Sequence, residues 1–174
     1  TLDNFTGKWL RLHNPFIYLT NNTKEFSRNY TAEFDVILQL KNNGWMYPAF
    51  STGFFSTNGE PCTDNNFLKE YDKYAAVMAT IYPEERSNSR VLVESFKEDA
   101  GYFKSEPKNY GKLEKYYGKP VHIAIQVQGQ RFRMWTNETK VFDVPRGIDT
   151  GYKMNQLFLK LGKPIIRKNS MVST

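Results

Sequence analysis

Between Val121 and Val144 the chain alternates apolar and polar residues almost without a break, in the order VHIAIQVQGQRFRMWTNETKVFDV. A period of two is the side-chain period of a strand, so this segment buries a single face only if it folds as β-structure. Gly129-Gln130 interrupts the alternation as a two-residue turn with Gly first, which suits a type II′ hairpin. That turn pairs Val127 with Phe132, Ile125 with Met134 and Ile123 with Thr136 toward the core. Gln128 then faces Arg131, Gln126 faces Arg133 and Ala124 faces Trp135 on the opposite side, where a small residue beside a large one is a good cross-strand fit.

The next connection must preserve this parity. A two-residue loop at Asn137-Glu138 sets Asp143 opposite Phe132 on the core side, a costly place for a carboxylate. A three-residue loop, Asn137–Thr139, pairs Met134 with Phe142 and Phe132 with Val144, and sets Arg133 against Asp143 on the polar side. The longer loop is therefore expected. It flanks Trp135 with Ala124 and Val141, gives Arg133 an ion pair with Asp143, leaves Arg131 as a turn-flanking charge, and lets Pro145 end the strand.

Period-two patterns continue elsewhere. TAEFDVILQL places Ala32, Phe34, Val36, Leu38 and Leu40 on one face and Glu33, Asp35, Ile37 and Gln39 on the other. Tyr74–Tyr82, Arg90–Phe96, Lys8–His13, Trp45–Phe55 and Asn155–Leu161 also read as strands, separated by Asn-, Gly-, Pro- and Ser-rich joints. YGKLEKYYG, ending at Gly118, is the one stretch with a helical turn pattern. At 174 residues, without repeats or a low-complexity linker, the chain is expected to be one domain. Short, evenly spaced strands with turn signals point to an all-β antiparallel two-sheet sandwich or barrel.

Composition narrows the function classes. No run of eighteen apolar residues occurs, so no membrane-spanning helix is expected. The chain opens Thr1-Leu2-Asp3, which reads as a processed chain or an excised domain. Cys62 is the single cysteine, so packing rather than an internal disulfide must hold the fold. Net charge is +6, unevenly placed: residues 1–96 carry 9 basic and 11 acidic side chains, residues 97–174 carry 15 and 7. Such asymmetry can mark a surface that meets polyanions, but the basic residues are spaced singly and form no nucleic-acid module. The parts of a zinc protease, a serine hydrolase, a dinucleotide site or a P-loop are missing. His13 and His122 are the only histidines. The sequons at Asn4, Asn21, Asn29 and Asn137 are too few above chance to read as glycosylation.

YTAEFDVILQL, then GKPVHIAIQVQGQRFRMWTNETKVFDVPRG and MNQLFLKL, together resemble the concanavalin A-like (laminin G-like) jelly-roll domain of outer-membrane-protein-A-type and related surface proteins of Bacteroidetes. The resemblance spans about Lys8 to Leu161. It implies a two-sheet antiparallel jelly roll over residues 1–161, outside the cytoplasm, at the cell surface, the outer membrane or in the periplasm. It also implies a further strand after LFLKL, where this chain instead runs GKPIIRKNSMVST. Residues 162–174 are therefore expected to form a basic tail, flexible or bound to a partner. Asp149-Thr150-Gly151 resembles the short O-glycosylation motif of such proteins.

The laminarinase-like glycoside hydrolases share that fold and carry a strand motif resembling E-x-D-x-(x)-E. Here Glu33 and Asp35 are present, but Ile37 or Leu38 stands where the acid/base should be, and neither transfers a proton. The expectation is thus a non-catalytic module for carbohydrate recognition or adhesion. Its ligand, a glycan or cell-surface polysaccharide, would meet Trp135, Arg133, Gln126, Glu33 and Asp35. A structural or assembly subunit with an outer-membrane protein partner is the first alternative, a glycosidase the second. No cofactor and no nucleic-acid partner are expected. Thr63–Asn66, with Glu60 or Asp72, would make at most a weak calcium site.

Overall fold

The computed structural model describes residues 16–19, 24–37, 49–57, 75–82, 88–97, 100–106, 108–112, 118–149 and 151–162. Among them are β1 (Phe16–Leu19), β2 (Asn29–Ile37), β3 (Ala49–Ser56), β4 (Ala75–Tyr82), β5 (Asn88–Lys97), β6 (Ala100–Lys104), β7 (Lys108–Lys112), β8 (Pro120–Gln128), β9 (Arg131–Thr136), β10 (Thr139–Val144) and β11 (Gln156–Gly162). They form two antiparallel sheets. The larger has the order β1-β11-β3-β4-β5-β6, with β7 also paired to β5, and the smaller has the order β10-β9-β8-β2.

The two sheets face each other across a continuous apolar core. The larger supplies Phe50, Phe54, Val77, Ala79, Ile81, Val91 and Val93, and the smaller supplies Val121, Ile123, Ile125, Val127, Phe132, Met134, Phe142 and Val144. Of these, Ile123, Ile125, Val127, Phe132, Met134, Phe142 and Val144 are the alternate residues that the period-two pattern assigned inward. Phe132, Ile125 and Met134 are completely buried, and each such side chain contributes about 1.5–3 kcal/mol of transfer free energy. Phe26 and Tyr30 pack against the core, where they and Phe54 form an aromatic cluster. Tyr30 meets Phe54 edge-on at 4.8 Å between centroids, and Phe26 lies 5.1 Å from Tyr30. Burial raises the Tyr30 hydroxyl pKa.

The expected pairings of the β8–β9 hairpin all hold, from Gln128 against Arg131 to Ile123 against Thr136. Gly129 has φ +59, while Gln130 stays out of the left-handed region, as a II′ turn requires. In the β9–β10 hairpin Met134 faces Phe142, Arg133 faces Asp143 and Phe132 faces Val144, again as expected. The means differ. Thr136 pairs with Thr139 across a two-residue turn in which Asn137 takes φ +51, and the extra residue is absorbed between Lys140 and Phe142 as a bulge at Val141. A bulge restores parity as well as a longer loop does. Asn137 pins the turn: its amide donates to the His122 carbonyl at 2.7 Å and its Oδ1 accepts from the His122 amide at 3.0 Å.

Of the stretch 110–118, expected as a helical turn, Tyr110, Gly111 and Lys112 belong to β7, with Gly111 and Lys112 paired to β5, and residues 113–117 lie outside the described residues. β1, β6 and β7 carried no clear alternation, and each is a short strand of four or five residues on the larger sheet. The strand expected at Lys8–His13, Leu38 and Leu40, Cys62, the Thr63–Asn66 loop with Glu60 and Asp72, and the tail beyond Gly162 lie outside the described residues.

The larger sheet departs from simple inside–outside alternation. The face of β3, β4 and β11 that points away from the core is buried too, with Ala49, Ser51, Phe55, Ala76, Met78, Thr80, Gln156, Phe158 and Lys160 all shielded. On β11, Leu157, Leu159 and Leu161 reach the core yet are only half-buried, whereas their polar or aromatic neighbours Gln156, Phe158 and Lys160 are more enclosed.

Candidate ligand-binding face

The five residues singled out from the sequence stand on one surface, the face of the smaller sheet turned away from the core. Strand parity puts them there. The register of β2 against β8 and of β8 against β9 and β10 arranges the face in rows. One row runs Thr31, Gln126, Arg133, Asp143. The next runs Glu33, Ala124, Trp135, Lys140. Asp35 and His122 form the start of a third. Four strands at the usual spacing span about 14 Å.

Trp135 is half-buried. Its cross-strand neighbours are Ala124 on one side and Lys140 on the other, not Val141, because the bulge moves Val141 out of the ladder. Ala124 adds no bulk between the indole and Glu33, which is fully on the exposed side of β2.

The expected ion pair between Arg133 and Asp143 is present, but it is not the main one. Asp143 has as its principal partner Arg131 rather than Arg133: Nε of Arg131 donates to Oδ1 at 2.6 Å and Nη2 to Oδ2 at 3.0 Å. A guanidinium and a carboxylate lie best side by side in this two-point geometry, and residues one pair apart on adjacent strands allow it. Lys140 Nζ reaches Oδ2 at 2.9 Å, and Arg133 Nε stands 3.5 Å from Oδ1. Hydrogen bonds from Arg131 and then Lys140 hold the Asp143 carboxyl well below the usual carboxylate range. The same contact raises the Arg131 pKa. Arg133 donates through Nη1 to Gln126 Oε1 at 2.7 Å and to Gln128. Gln126 thereby orients Arg133 instead of standing free.

On the acidic side, Asp35 Oδ1 lies 2.9 Å from Nδ1 of His122 on a solvent-exposed edge. Sequence parity placed His122 on this face, but only the β2–β8 pairing, made across 87 residues, brings Asp35 to it. Glu33 and Asp35 are the two acids of β2. Ile37, on the same side, supplies no third carboxyl. Among the described residues no group of three His, Cys, Asp or Glu is placed to hold a metal ion, and no helix is long and apolar enough to cross a membrane.

Two features escaped the sequence. Lys140 joins the Trp135 row because the turn has two residues, not three, which leaves Val141 as the odd residue. On the larger sheet Lys160 is 7% exposed, and burial lowers its ammonium pKa to about 8. It lies opposite Ser51, whose hydroxyl is hydrogen-bonded to that of Thr80 at 3.0 Å. In the Asp149–Gly151 triplet the Gly151 amide donates to Asp149 Oδ1 at 2.9 Å, and Thr150 lies outside the described residues.

No protein-family model matches the chain, and no curated protein does. Among solved structures it is similar to sheep galectin-11 in complex with glycerol, with a TM-score of 0.50 and 11% identity over 88% of this chain and 97% of that one. Chicken galectin 2 gives 0.49 and 14% over 86% and 95%, and the Bacillus licheniformis β-glucanase gives 0.47 and 10% over 80% and 55%. The chain is a concanavalin A-like jelly roll. At these identities the likeness speaks to fold alone.

Proposed function

We propose that the outer face of the smaller sheet recognises carbohydrate, and that the protein is a non-catalytic binding module outside the cytoplasm, at a bacterial cell surface or outer membrane. The row Glu33–Ala124–Trp135–Lys140 carries this reading. A half-exposed indole beside an alanine offers a flat apolar platform, and the polar groups around it can both donate and accept. Sugars present the matching surfaces: apolar C–H patches on the ring and hydroxyls at its rim. Arg133, fixed by Gln126, is pre-oriented, which lowers the ordering cost of binding. The resemblance to bacterial surface jelly rolls supports the location, and a cell-surface polysaccharide is the ligand it suggests.

Glycan-array binding followed by calorimetry tests the reading. Trp135→Ala is expected to weaken binding at least tenfold, since stacking and the excluded water go together. A Trp135→Ala protein that binds like wild type would remove this face from consideration. The hydrolase alternative rests on Glu33 and Asp35. It predicts release of reducing ends from a bound glucan that disappears in Glu33→Gln. The binding reading predicts no release by either protein.

A further inference from the structure

We infer that the sugar taken by this face is anionic, bearing a carboxylate or a sulfate. Its charged group would lie against Arg133 and Lys140, its ring on Trp135, and its neutral hydroxyls toward Glu33. The inference rests on the carbohydrate reading and narrows it.

The face is electrically divided. On β9 and β10 three cations, Arg131, Arg133 and Lys140, surround the single carboxylate of Asp143. Asp143 is held ionised by its two hydrogen-bonded cations, so β9 and β10 carry a surplus of two positive charges at neutral pH, reduced to one over the hairpin by Glu138 of its turn. Glu33 and Asp35 stand on β2, two strands from Trp135, and Asp35 is in contact with His122.

The cations are not equivalent. Arg131 is committed to Asp143 in a two-point contact. Arg133 has Nη1 directed at Gln126 and Gln128 and Nε facing Asp143, which leaves its Nη2 without a partner among the described residues. Its side chain is only 21% exposed, so the group is both held and partly desolvated. Lys140 retains two ammonium hydrogens beyond its bond to Asp143 and lies directly across from Trp135. An oxyanion bridging Nη2 of Arg133 and Nζ of Lys140 would receive charge-assisted hydrogen bonds. It would do so beside the indole, where a ring carrying that oxyanion would rest. A neutral sugar can donate its hydroxyls to the Glu33 carboxylate but leaves the cation surplus uncompensated.

The test compares matched polysaccharides. Polygalacturonate is set against its carboxyl-reduced form, and a sulfated galactan against its desulfated form, by calorimetry at moderate salt. At least one anionic member is expected to bind tenfold or more tightly than its neutral counterpart, and which pair responds distinguishes carboxylate from sulfate. That advantage shrinks in molar salt, because the cations are partly exposed and are screened. Arg133→Gln and, separately, Lys140→Gln each reduce the anionic-to-neutral ratio at least threefold. Lys153→Gln removes a cation paired with Glu25 away from this face and leaves the ratio as in wild type. Lys140→Gln keeps the Arg131–Asp143 contact, so it reads the charge with the hairpin intact.

Equal binding of neutral and anionic forms overturns the inference and leaves carbohydrate recognition standing. Binding of no saccharide overturns both. If duplex DNA or anionic lipid vesicles bind as tightly as the anionic glycans and independently of Trp135, the face is a general polyanion surface and the inference falls.

Discussion

Single residues in this fold differ sharply in how much room they have. A Cβ on Gly53 would fall 2.0 Å from the Val77 carbonyl oxygen, a backbone atom that side-chain motion cannot clear. Gly53→Ala must push β3 away from β4, so it is expected to give insoluble protein or to cost about 3 kcal/mol or more in urea denaturation. Gly129→Ala has free space, its nearest neighbour being the Arg28 side chain at 3.7 Å, and meets only the backbone cost of φ +59. That cost is about 1–3 kcal/mol, and the same denaturation experiment compares the two cases. Phe132→Ala, in the centre of the core, belongs with the severe class at about 3–5 kcal/mol.

At the level of elements, the β9–β10 hairpin owes its register to the bulge. Deleting Val141 leaves Thr136 against Thr139 and Lys140 against Trp135, and lets Phe142 follow directly against Met134. The deletion variant is therefore expected to fold with an unchanged far-ultraviolet spectrum and to lose no more than about 2 kcal/mol, the worth of one half-buried valine. A spectrum of an unfolded chain would show that the bulge is needed for more than parity. The hairpin is also joined by Asp143. Its folded pKa lies below the ordinary value of 3.8, so the stabilisation it gives is present above that value and is lost as pH falls toward the folded one. Asp143→Asn is thus less stable than wild type at neutral pH, and the gap in melting temperature closes as the pH is taken below about 4. This hairpin also marks how far sequence reasoning reaches. The partners Met134–Phe142 and Arg133–Asp143 were legible because parity is a local property. Whether a loop or a bulge supplies the odd residue was not, since both give the same inward set.

For the whole molecule, the enclosed outer face of the larger sheet is the main feature without a local sequence signal. Lys160 shows its consequence. With a folded pKa of about 8 against an ordinary 10.5, the unfolded chain holds more protons between those values, so stability rises with pH across that window. Wild type is expected to gain stability relative to Lys160→Met as the pH rises from 8 to 10.5. Denaturation at the two ends of the window measures it, and parallel curves for the two proteins would refute it.

The alternation of residues 121–144 by itself determined that these strands form hairpins, which residues enter the core, and that Arg133, Trp135 and Gln126 share a polar face. It could do so because side-chain direction along a strand is set by the chain's own geometry, and a short turn carries that geometry to the next strand. The placing of Glu33 and Asp35 beside that face required the pairing of β2 with β8. The choice of Arg131 over Arg133 as chief partner of Asp143, the entry of Lys140 into the Trp135 row and the burial of Lys160 were likewise decided only in three dimensions. Each depends on contacts between distant segments or on distances of a few ångströms between side chains, and neither is encoded in the period of a single strand.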